Sequence, residues 1–190
     1  MFPFLDILSP GYFVEKLNAG PVATGKPRDN LNDMVADRSD RSFRIMGGRK
    51  TFDVCDYVSQ MGSSGSSFVL YVGCDSQNHR NHTVYVTTVV FRFPRSGAHV
   101  IYRKEKVPKI SDLWTKLWGE TERSVALAHL IREETGVEVE QIDLDFNTDP
   151  AHPSNKLLSA SAGYIQSLGF QSAAKPNLLM AAWAADALCQ

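Results

Sequence analysis

No stretch of this sequence approaches the ~18 to 20 consecutive apolar residues that a bilayer-crossing helix needs, so no membrane contact of that kind is expected. Its start, MFPFLDILSPGYF, lacks the basic opening and long apolar run of a secretory signal, and the expected location is cytoplasmic. Cysteine is scarce. Cys55, Cys74 and Cys189 are odd in number and far apart, with no CxxC or Cys/His spacing that would make a zinc site, and they read as reduced, buried thiols. A basic excess is also missing: the formal charge is -1, so any contact with nucleic acid must come from local patches. Nor does a Gly-rich phosphate loop follow the first long apolar run, where GCDSQNH stands instead. With a chain too short for two actin-like ATPase domains, this argues against nucleotide hydrolysis on that fold.

The sequence holds 190 residues, 43% of them hydrophobic, enough for one core plus an arm. Residues 1–50 form the arm. Residues 1–17 are apolar but broken by Pro3, Pro10 and Gly11, which suits a segment that packs on a protein partner or on a second copy. From Gly20 to Lys50 the composition is polar and aperiodic, which predicts irregular chain with at most a short helix near Leu31 to Ala36. Residues 51–67 read as a short helix over Phe52 to Met61, capped by Thr51, and a GSSGSS linker.

The compact domain spans residues 68–190. FVLYVGC (68–74) is a strand buried on both faces; TVYVTTVVFRF (83–93) and AHVIYRKEKV (98–107) follow, joined through Pro94 to Gly97 as a hairpin. Helical spacing runs from Asp112 to Glu134 and stops at Gly136. VEVEQIDLDF (137–146) alternates as a strand does, Pro153 to Leu168 reads as a helix, Phe170 to Ala174 as a strand and Leu178 to Leu188 as a helix. The order β-β-β-α-β-α-β-α resembles the ribonuclease H-like α/β fold. That fold implies a mixed five-stranded sheet, its second strand antiparallel to the rest, here preceded by an N-terminal extension.

Acidic residues fall at suggestive points. Asp75 ends the first strand, Glu120 lies in the first long helix and Asp145 closes the fourth strand, expected to neighbour the first. Converging carboxylates are what two divalent ions need for phosphodiester hydrolysis, and hard oxygen ligands suit Mg²⁺ or Mn²⁺. Bland readings fit each residue taken alone: Asp75 capping a turn with Ser76 and Asn78, Glu120 as one of several surface glutamates beside Glu122, Glu133 and Glu134, and Asp145 in a solvated acidic face with Asp143 and Asp149.

Gly73-Cys74-Asp75-Ser76-Gln77, His79 and His82-Thr83 match the G-x-D-S-Q-x-H-x-x-H-T signature of the YkuK-type ribonuclease H-like proteins, which this chain resembles. The likeness continues through Glu120-Thr121, Leu144-Asp145-Phe146-Asn147, Asp149-Pro150, His152, Ser154-Asn155-Lys156, Gly163-Tyr164-Ile165, Lys175-Pro176 and Ala181-Ala182 to Ala184-Ala185-Asp186. It covers roughly residues 68–190. It implies that Asp75, Glu120 and Asp145 are the three metal-binding and catalytic acids, holding two Mg²⁺ or Mn²⁺ ions. The fourth acid of such sites normally lies early in the last helix, where this sequence has Asn177; Asp186, further along, is the candidate fourth ligand.

His79 and His82 are placed to position water or a phosphate, or simply to bond backbone in a turn. Lys156, behind Ser154 and Asn155 at a helix start, could receive a phosphate, although ordinary capping by Ser154 suits the same pattern. A basic stretch from Arg92 to Lys116 holds Arg95, Arg103, Lys104, Lys106 and Lys109, interleaved with Tyr102, Trp114 and Trp118. It can grip a backbone and stack bases, or be a solvated hairpin before a half-buried helix. Two functions follow as expectations: a metal-dependent nuclease acting on RNA or DNA, and a ribonuclease H-like binding module with little or no activity that docks through residues 1–17.

Overall fold

The computed structural model describes residues 38–94 and 96–189. The expected partner-docking segment 1–17 and the short helix near Leu31 lie outside them. A 3₁₀ turn, Arg38–Arg41, leads into strands β1 (Ser42–Ile45) and β2 (Thr51–Asp53) and helix α1 (Val54–Ser63). Three long strands follow: β3 (Val69–Asn78), β4 (His82–Phe93) and β5 (Gly97–Pro108). Then come α2 (Leu113–Thr135), β6 (Gln141–Leu144), α3 (Asn155–Ser167), β7 (Ser172–Ala174) and α4 (Met180–Cys189). No described helix is long and apolar enough to cross a membrane.

The strands form one mixed sheet in the order β2-β1-β5-β4-β3-β6-β7. Among the described residues it has seven strands, which corrects the expected five. The two additions come from the stretch read as irregular and its border. β1 pairs antiparallel with β5 through Arg44↔Tyr102 and Ile45↔Ile101, and β2 pairs with β1. Both are too short to show a period, and the hairpin is fixed by tertiary contacts: Phe43 is buried in the core, and Arg41 bridges Asp53 Oδ2 at 2.7 Å and Glu134 Oε2 at 2.6 Å. Within the remaining five strands, β4 alone runs against the others, while β6 and β7 extend the sheet in parallel beyond β3.

Helix ends follow side-chain chemistry. Asp112 accepts from Thr115 N at 2.7 Å to open α2, and Gly136, at φ 66°, closes it in the left-handed region expected of a C′ glycine. For α1 the cap is Asp53, accepting from Cys55 N and Asp56 N, and not Thr51, which belongs to β2. The strand expected over 137–146 shortens to Gln141–Leu144.

Strand alternation divides the sheet into two faces. On one, Leu70, Val72, Val89, Phe91 and Ile101 pack with Val54 and Val58 of α1, Val125, Ala128 and Ile131 of α2 and Ile165 of α3. Each fully buried apolar side chain there contributes about 1.5–3 kcal/mol. On the other, α4 packs over β3 and β4, joining Ala185 and Cys189 to Val86 and Tyr102. Gly73 makes that approach possible: a Cβ there would stand 2.8 Å from Ala182 N. Three hydrogen bonds pin the start of α4. Asp143 Oδ2 accepts from Ala181 N at 2.7 Å and Ala182 N at 3.3 Å, and Thr88 Oγ1 donates to Ala181 O at 2.7 Å. Asp143 thereby satisfies first-turn N–H groups that have no partner within their own helix.

Candidate functional site

Asp75 lies on β3 two residues beyond Gly73, so its side chain projects from the same face, toward α4. There it lines an open cleft of about 520 Å³ with Ser76, Gln77, His79, Asp186 and Cys189. The last parallel pair of β3 and β6 is Gly73 with Asp143. Two residues on, Asp75 is still inside β3, which runs to Asn78 and so does not end at Asp75 as expected, while Asp145 directly follows the end of β6. Asp186 reaches the same cleft from α4. Burial, and then the charges of Asp145 and Asp186, hold the Asp75 carboxyl above the ordinary aspartate range. Asp143, the rival of Asp145 in sequence, is committed to the start of α4 and is almost fully buried.

Glu120 approaches from the opposite side. It projects from α2, is 3% exposed, and accepts a 2.5 Å hydrogen bond at Oε1 from the hydroxyl of Ser76, whose side chain points away from α4. Burial, with smaller contributions from Asp75 and Asp145, pushes its pKa up to about 8. Lys116, also on α2, donates from Nζ to Ser76 O at 3.0 Å and supplies the nearest positive charge to Asp75 and Glu120. Asp145 has its own cation: Lys175 Nζ lies 2.6 Å from Asp145 Oδ1. This is a close charge contact without hydrogen-bond alignment, so Oδ1 is buried with no aligned donor.

These contacts explain why the acids approach one another without converging. Among the described residues, no group of three or more His, Cys, Asp or Glu side chains is arranged to hold a metal ion. Glu120 is bound to Ser76 and Asp145 to Lys175, while Asp75 and Asp186 face the cleft. The donor set itself is carboxylate oxygen throughout, the type that suits Mg²⁺ or Mn²⁺. A buried carboxylate oxygen without an aligned donor, near the Asp75 and Glu120 carboxyls that burial and then neighbouring acid charge hold above their ordinary range, also fits a cation.

The remaining candidates separate by face. His79 lines the cleft, and its ring stacks on that of His82 with centroids 4.8 Å apart, while His79 N donates to His82 O across the β3–β4 turn. Val86 pairs with both Asp75 and Lys104, and Val84 with both Gln77 and Lys106. Lys104 and Lys106 are thus exposed on the same sheet face as Asp75. Lys109 instead donates to Arg80 O at 3.4 Å, tying down the β3–β4 turn. Arg103 projects from the other face and pairs with Asp40. Trp118 packs on Tyr164, Tyr102 is 9% exposed beneath α4, and Trp114 is exposed, so the basic stretch is no continuous aromatic track. Arg95 lies outside the described residues. Lys156 is exposed on the first turn of α3. Ser154 makes no side-chain cap; its Oγ accepts from Asn147 N at 3.1 Å.

A family model described as ribonuclease H-like matches residues 52–190. The chain belongs to the ribonuclease H-like family. No curated protein and no solved structure matches it. Within this ribonuclease H-like domain, reading the residues singly passed over three side chains that the fold brings to the acids. Lys175 was visible only as part of a motif, Cys189 as a core thiol, and Ser76 as a turn residue. A fourth, Trp183, sits one helical turn before Asp186 and is 55% exposed. Register between β6 and β7 is what delivers Lys175 to Asp145, and nothing local in the sequence encodes it.

Proposed function

We propose that this protein is a metal-dependent nuclease of the YkuK type that hydrolyses phosphodiester bonds of RNA or DNA. The observation that carries the reading is the proximity of Asp75 on β3, Asp145 just past β6 and Asp186 on α4, close enough for their charges to act on Asp75, with Glu120 reaching toward them from α2. Asp75, Asp145 and Glu120 would hold two Mg²⁺ or Mn²⁺ ions, with Asp186 as a fourth ligand. Bound there, the ions would activate water and stabilise the leaving oxygen. Lys104 and Lys106 neutralise backbone phosphates alongside, and His79 holds or orients water at the cleft wall. Lys156 offers a further phosphate contact. The exposed indole of Trp183 gives an unpaired base a surface to stack on.

A second reading is favoured by the closed contacts of Glu120 with Ser76 and of Asp145 with Lys175. In it the domain binds nucleic acid or a partner and does not cleave. One experiment separates them: Mn²⁺ titration by calorimetry on wild type and Asp75→Asn, with cleavage of labelled RNA, hybrid, single-stranded and junction substrates. The nuclease reading expects binding and cleavage in wild type and the loss of both in a folded Asp75→Asn protein. Metal-free wild type that still binds nucleic acid would leave the binding module.

A further inference from the structure

Lys175 sits where the parallel pairing of β6 and β7 puts it. Leu144 pairs with Ala174, so Asp145 and Lys175 leave their strands side by side, and Lys175 N donates to Phe146 O at 3.2 Å. The ammonium then reaches back to Asp145 Oδ1 at 2.6 Å. The two partners differ in their surroundings: the lysine side chain is 45% exposed and the aspartate 21%. A half-exposed lysine gives up such a contact at little cost, because water solvates the released ammonium. Asp145 has no such escape, since its Oδ1 is buried with no aligned hydrogen-bond donor and only the lysine charge stands beside it. The contact therefore supplies charge to an oxygen that needs it while leaving the supplier free to depart.

We propose that Lys175 is the resident counter-cation of Asp145, a positioning residue that competes with the divalent ion and sets the threshold at which metal enters. The inference rests on the nuclease reading for the role of Asp145 as a ligand. In the metal-free protein Lys175 offsets the charge that Asp75, Asp145 and Asp186 bring together. When a divalent ion binds, the lysine gives up Asp145 and turns to solvent. Metal affinity of the free protein is kept lower than the carboxylates alone would set it.

The test is Mn²⁺ titration by calorimetry on the full chain, comparing wild type with Lys175→Met, Lys175→Arg, Lys50→Met and Asp145→Asn; Lys50 is exposed between β1 and β2. Removing the competing charge is expected to tighten Mn²⁺ binding by about tenfold in Lys175→Met. Lys175→Arg, which keeps a competing cation, and Lys50→Met, which loses one charge elsewhere, stay near wild type. Thermal melting gives a readout independent of activity: Lys175→Met melts lower than wild type without metal and gains more from saturating Mn²⁺. Unchanged affinity in Lys175→Met, with binding abolished in Asp145→Asn, overturns the competition while the nuclease reading stands. An equal gain in Lys50→Met also overturns it, as a general charge effect. Wild-type affinity in Asp145→Asn, or no binding by any protein, removes the nuclease reading and this inference with it. If Lys175→Met does not fold, Lys175→Gln takes its place in the same comparison.

Discussion

With its pKa pushed up to about 8 by burial, the Glu120 carboxyl keeps a proton through much of the neutral range. An unfolded glutamate releases that proton near 4.5, so between these values the native state binds a proton that the unfolded state lacks. Stability must then fall as pH rises across that window, and the loss is complete above the folded value. Glu120→Gln removes this dependence. Urea unfolding at pH 5 and pH 8 is expected to show wild type losing more stability than Glu120→Gln over the interval; parallel losses would refute the assignment. Mn²⁺ affinity should move the other way, rising with pH, because a ligand carboxylate must be ionised. At this scale the sequence was only half legible. Asp75 stood out as a candidate because it breaks the apolar run FVLYVGC, although β3 continues past it to Asn78. Asp143 and Asp145 could not be told apart by alternation, since both point to one face, and only the docking of α4 on Asp143 separates them.

Among the elements, α4 carries the greatest dependence on others. Its hydrophobic stripe is mostly alanine, so the helix lies close to the sheet and is sensitive to added bulk. Gly73→Ala would place a methyl 2.8 Å from Ala182 N and 3.0 Å from Ala181 C, both backbone atoms that can yield only if the helix lifts. The expected cost is about 1–3 kcal/mol. Asp143→Ala leaves the N–H groups of Ala181 and Ala182 without their acceptor, at a similar cost of about 1–3 kcal/mol. Urea denaturation checks both, and a Gly73→Ala protein as stable as wild type would mean that α4 is not seated as described. The long elements were legible from continuous apolar and β-branched runs in β3, β4 and β5 and from helical spacing in α2, although β3 extends four residues past the expected end, to Asn78. β1 and β2 were not, because four and three residues cannot show one. Their stability comes from tertiary contacts: Phe43 in the core, the pairing of β1 with β5, and Arg41, whose partner Glu134 is 93 positions away.

At the scale of the whole sheet, the described residues cover its two faces unequally: α1, α2 and α3 pack on one and α4 on the other. The lightly covered face carries both Asp75 and the exposed Lys104 and Lys106, which is how a chain of formal charge -1 can still offer phosphates a local positive row. Replacing both lysines by glutamine is expected to weaken nucleic-acid binding across all sequences and to reduce the slope of log affinity against log salt by about 1.4 to 1.8. Mn²⁺ binding should be unaffected. A slope unchanged in the double variant would place the track elsewhere.

The register that joins Asp75, Val86 and Lys104 across three adjacent strands also makes the sheet a ruler. Neighbouring strands stand ~4.8 Å apart, so the acid end and the first lysine are separated by ~10 Å of rigid backbone, and Lys106 lies ~7 Å further along its own strand. Such graduations do not adjust to the ligand. On the nuclease reading, an oligonucleotide too short to span them would reach the acids or the lysines but not both. Its length, before its sequence, would then decide how firmly it is held.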